Sequence, residues 1–128
     1  MLDELRNMPM KKVVKIRLEY IEDPREHIIL VGGISSDGVL ASKEMYGYVV
    51  DNDTQEGITH YPIVVQVDDD AGSEIECAFE WGWNDKTETY LRFLKRPVSV
   101  GQQITREETV DNETNEFLYT VVSVEDYL

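Results

Sequence analysis

The chain has 128 residues, enough for one domain with a true core and too few for two comfortable ones. Its 12 basic and 26 acidic residues leave a formal charge of −14, which argues against bare nucleic acid or an anionic membrane surface as a main partner, since both require a basic face. The single cysteine excludes an intrachain disulfide and fits a reducing compartment.

Residues 1–11 read as an N-terminal appendage to a single β-rich domain. Leu2, Leu5 and Met8 have helical spacing, and Pro9 ends it. This N-terminus lacks the apolar core of a signal peptide, and no run approaches the ~18 apolar residues of a membrane-spanning helix. The expectation is a cytoplasmic protein without a membrane partner.

Lys12 to Glu22 alternates Val14, Ile16, Leu18 and Tyr20 against Lys15, Arg17 and Glu19, the period-two pattern of a half-buried strand. Asp23-Pro24-Arg25-Glu26 supports either a turn into a strand from His27 to Ser35 or a capped helix that stops at Gly32. The β-branched content favours the strand. A turn at Ser35–Gly38 leads towards a strand from Met45 to Val50, and Asp51 to Gly57 is a polar turn.

The clearest signal lies in a central hairpin. Thr59, Tyr61, Ile63, Val65 and Val67 share one phase, as do Ile75, Cys77, Phe79 and Trp81. With Asp68–Gly72 as a connection, the spacing predicts Val65 beside Ile75, Ile63 beside Cys77, and Tyr61 beside Phe79. On the outer face this register sets Glu74 beside Gln66, Glu76 beside Val64, and Glu80 beside His60.

Beyond Trp83, the Asp85–Glu88 capping box, the shared face of Tyr90, Leu91 and Leu94, and the stop at Pro97 predict a helix over residues 85–96. Ile104–Val110 and Glu116–Val124 then form a hairpin over residues 111–115. The run Phe117 to Val124 is apolar on both faces, which predicts a strand covered on both sides. The fold class is mainly β: a small antiparallel barrel or sandwich of six to seven strands with one or two short helices.

No motif carries covalent chemistry. Cys77 and His60 fall on opposite faces of the hairpin, so they make no nucleophile–base pair. The Asp51–Gly57 turn begins like a calcium loop, but Glu56 replaces its glycine and Pro62 its closing carboxylate. Gly32-Gly33 lacks phosphate-loop spacing. The sequence therefore predicts no catalytic residue, metal or cofactor.

Two binding surfaces remain. Glu74, Glu76 and Glu80 line up on one outer face, with His60 alongside and Trp83 at the end. This predicts a non-enzymatic acidic module that docks on a basic protein surface, with inhibition of that partner as one outcome, as in an immunity protein or a mimic of nucleic-acid charge. The alternative is a small-molecule-binding barrel whose mouth is lined by Tyr46, Tyr48, Trp81 and Trp83.

Overall fold

Alternation of apolar and polar residues leaves most of this chain one way to bury its apolar side chains, as paired extended strands. The computed structural model describes residues 11–53, 55–81 and 87–127. They form eight strands: β1 (Lys12–Tyr20), β2 (His27–Ile34), β3 (Glu44–Asp53), β4 (Gly57–Ala71), β5 (Glu74–Trp81), β6 (Glu88–Leu94), β7 (Gln103–Val110) and β8 (Glu113–Asp126). Each pairs antiparallel with the next, and β8 returns to β1, so the sheet closes into an up-and-down barrel.

A lumen ringed by eight strands is just wide enough for side chains to fill. Val14, Ile16 and Leu18 from β1 meet Ile75 and Cys77 from β5 and Leu91 and Phe93 from β6 there, all almost wholly buried. One end is plugged by the β2–β3 connection. Ser35 donates to the Val39 carbonyl, Val98 donates to that of Gly38, and Leu40 is buried in the core cluster. The opposite end gathers the last residues of β1, β3, β5 and β7 and the first of β2, β4, β6 and β8.

The closing seam contains a bulge. Arg17 stands opposite Ser123 but Leu18 opposite Val121, so Val122 is an extra residue in β8. The bulge reverses the phase of β8, and both Val121 and Val124 pack on the core. This explains a strand that reads as apolar on both faces. It is not covered on both sides, because outward Leu118 remains 39% exposed.

Other expectations also change. The described residues contain eight strands and no helix, rather than six or seven strands with short helices. Within 85–96, residues 85 and 86 lie outside the described residues, and Glu88–Leu94 is strand β6 rather than helix. Thr89, Leu91 and Phe93 all turn inward, and β5 and β7 supply hydrogen-bond partners on both sides, which outweighs a local capping signal. The strand preferred over a helix at His27 is present as β2.

The central hairpin keeps its predicted inward face but slides by four residues. Ile63 pairs with Trp81, Val65 with Phe79, and Val67 with Cys77. Strand β4 continues through Asp68 to Ala71, with an irregularity there, and turns at Gly72, whose φ is +74°. The β7–β8 turn is likewise shorter than the sequence suggested, with Asp111 and Asn112 at φ of 50° and 65°, the positive pair a tight twisted hairpin turn needs.

Gly47 is required by a close approach, since a Cβ there would overlap the Ile29 carbonyl oxygen on the neighbouring strand. Gly47→Ala should lower stability by about 3 kcal/mol, the upper range for overpacking. A urea midpoint indistinguishable from the parent would contradict so tight a β2–β3 seam.

Candidate functional site

At the open end, the inward rows stop being apolar. In β7 the row Ile104, Arg106, Glu108 places a guanidinium and a carboxylate where hydrophobic residues would otherwise continue. In β3 the row Met45, Gly47, Val49 continues to Asp51. Tyr20 ends the row of β1, Tyr61 begins that of β4, and Phe117 and Tyr119 open that of β8.

Arg106 is the centre of this end, only 6% exposed. Its Nη1 donates to the Tyr119 hydroxyl at 3.0 Å and lies 3.8 Å from Asp51 Oδ1, while Nη2 donates to Glu108 Oε2 at 2.7 Å. Its Cζ stands 5.9 Å from the ring centroids of both Trp81 and Phe117, within cation–π range. The Nε–H is buried and has no acceptor among the described residues. Burial works against the guanidinium charge, but Tyr119, Glu108 and Asp51 outweigh it, and Arg106 is held more firmly protonated than usual.

The surrounding rings are packed. Tyr20 lies 5.4 Å from Tyr119 and meets Phe117 edge-on at 6.0 Å. Trp81 takes Tyr61 and Phe79 edge-on at 6.3 and 5.5 Å and donates its indole N–H to buried Thr89 at 3.0 Å. Above Arg106 opens a cleft of about 280 Å³, lined by Tyr20, Tyr61, Phe117 and Tyr119 with Glu26, Asp51, Asn52, Arg106 and Glu108. Glu26 Oε1 accepts the Asn52 backbone N–H at 3.2 Å, fixing one rim.

The predicted ligand residues do not assemble here. Tyr46 and Tyr48 point outward, 57% and 38% exposed, because the phase of β3 that turns Met45 and Val49 inward turns them away. Tyr46 donates to Glu44, and Tyr48 lies beside His27 and His60, at 6.4 and 5.8 Å between rings. Trp81 faces the lumen and braces Arg106 from below the cleft. Trp83 lies outside the described residues.

The predicted acidic stripe is also rearranged. Glu80 stands opposite Val64 rather than His60, Glu76 opposite Asp68, and Glu74 opposite Ala71. His60 pairs across to Val50 on β3, away from β5. Glu76 is engaged by Arg92 at 2.7 Å, and the same guanidinium reaches Glu107 at 3.3 Å. The face therefore has a cation built into its middle. Cys77 is buried opposite Val67 and Leu91, and burial, with Glu76 nearby, pushes its thiol up to about 12, so it is no nucleophile.

The sequence pattern does not by itself single out Arg106, Asp51, Glu108, Glu26 or Asn52. The available signal was charge at an inward position, at Arg106 and Glu108 between Ile104 and the β7 turn, and at Asp51 beyond Val49. No family model, curated protein or solved structure matches the chain.

Arg106→Ala should cost about 3–5 kcal/mol, because it strands Asp51 and Glu108 without their cation. A loss below 1 kcal/mol in denaturant titration would deny Arg106 that role. Asp51 generates a pH prediction. Its carboxyl lies above the ordinary value first because of burial, with Arg106 opposing and Glu108 adding to the rise. A raised folded value means that its stabilising contribution is complete below the unfolded value of ~3.9 and is lost as pH rises through the folded one. Asp51→Asn should therefore raise the melting temperature at neutral pH, with the gain fading in acid. A gain that persists undiminished in acid would contradict the assignment.

Proposed function

We propose that this chain is a non-enzymatic binding protein and that its ligand is a small molecule seated in the mouth of the barrel above Arg106. The observation that supports this reading most directly is the cleft itself: a concavity at the one end of a filled barrel where charged groups replace the apolar inward rows. Ligand sites combine apolar and aromatic walls with a few converging polar groups, and barrel mouths are among their habitual positions. A buried guanidinium and a carboxylate raised by burial are poor choices for stability alone. The outward mid-strand positions carry Arg17, Glu76, Arg92 and Glu107, which supports a barrel bathed in water rather than lipid. No helix among the described residues is long and apolar enough to cross a membrane.

A second reading keeps the acidic outer face as a dock for a basic protein. It is favoured by the charge of −14 and by exposed Glu80, and weakened by the Arg92 bridge between Glu76 and Glu107. The two readings place contacts on different surfaces. A mixed-charge fragment library screened by amide chemical shift should move residues 51–52, 106–108 and 117–119. If no fragment perturbs those amides in a saturable way, the mouth is not a ligand site and the outer face takes precedence.

A further inference from the structure

Resting on the mouth being the binding site, we propose that it selects a small organic cation, an amine, amidine or guanidine carried on a single ring or an apolar body of similar size.

Three carboxylates, Glu26, Asp51 and Glu108, line the cleft against one guanidinium, leaving two negative charges in excess. Arg106 is poorly placed to recognise an anion. Its Nη1 and Nη2 already donate to Tyr119 and Glu108, its Nε–H, though unpartnered, has essentially no accessible surface, and the residue as a whole is only 6% exposed. It forms the floor of the cleft. The carboxylates, in contrast, keep accepting capacity. A carboxylate has about four lone-pair positions, whereas Glu26 uses Oε1 for the Asn52 N–H and Glu108 uses Oε2 for Arg106.

Asp51 is incompletely compensated. Its contact to Arg106 is 3.8 Å, long for a charge-assisted hydrogen bond. The attraction does not offset its burial, and the carboxyl titrates above the ordinary range. A second cation at this carboxylate would supply the missing compensation.

The walls suit an organic ion better than a metal. Tyr20, Tyr61, Phe117 and Tyr119 surround the cleft, and aromatic faces attract ammonium and guanidinium groups. No three acidic, histidine or cysteine groups among the described residues come together as a metal would require. An ammonium is satisfied by one or two carboxylates and a ring. The volume of about 280 Å³ sits at the small end for ligand sites, which limits the body to roughly one ring.

The test uses one body in three charge states: benzylamine, benzyl alcohol and benzoate, each titrated into labelled protein by amide chemical shift. Benzylamine should shift Asn52, Phe117 and Tyr119 saturably and bind at least tenfold more tightly than benzyl alcohol, weakening as salt is raised, with benzoate silent at those amides. Glu26→Gln, which leaves the Arg106 cluster untouched, should reduce benzylamine affinity several-fold and not that of benzyl alcohol. If benzyl alcohol binds at the mouth as tightly as benzylamine, or benzoate more tightly, the cation class is overturned while the mouth stands as a binding site. If neither these probes nor the fragment library moves the mouth amides, the binding reading itself falls.

Discussion

Closure of the sheet is the constraint from which the rest follows. Strand β8 must reach β1 with both inward rows aimed at one lumen, and the bulge at Val122 makes this possible by reversing the phase of β8 midway. Upstream of it, Phe117, Tyr119 and Val121 face inward; downstream, Val124 does. Without the extra residue, one half of β8 would turn its apolar side chains to water. Closure also removes the exposed edges that an open acidic sheet would have to guard.

A closed eight-stranded barrel has room for side chains but little else in its middle, so polar function is pushed to an end. The β2–β3 connection occupies one end with Leu40. At the other, the inward rows of strands distant in sequence terminate in charged and phenolic groups. Asp51 and Arg106 are more than fifty positions apart in the chain and 3.8 Å apart in space. Their burial is tolerable because the guanidinium finds partners in Tyr119 and Glu108, with the rings of Trp81 and Phe117 against it. The unpartnered Nε–H marks where that compensation is incomplete.

The outer surface follows a different electrostatic logic. Excess negative charge is distributed over solvated strand faces, with Arg92 bridging Glu76 and Glu107 across three strands. Such half-buried surface pairs contribute little each, within about 1 kcal/mol. They nevertheless break up a continuous acidic stripe. The buried pair at Arg106 works in a medium where charge interactions are stronger and desolvation costs more. The two sets of carboxylates, similar in sequence, therefore have unlike physical roles.

By itself, the sequence determined the antiparallel β class and the burial phase of most strands, because a two-residue period is a local property. Val14, Ile16 and Leu18, or Ile75, Cys77 and Phe79, are inward in any fold that uses those strands. It also determined the burial of Cys77, which follows from its phase. Only the tertiary structure decided register and closure. Any shift of the central hairpin by an even number preserves its inward face, so pattern alone could not separate a partnership of Tyr61 with Phe79 from the observed one of Val65 with Phe79. The same slide separates Glu80 from His60. Residues 88–94 became strand because two neighbours offered hydrogen bonds that no local capping signal could anticipate. The mouth was hidden for a related reason. Each of its strands showed at most one or two polar residues out of place, and closure of the barrel alone brings those singular positions together at one end.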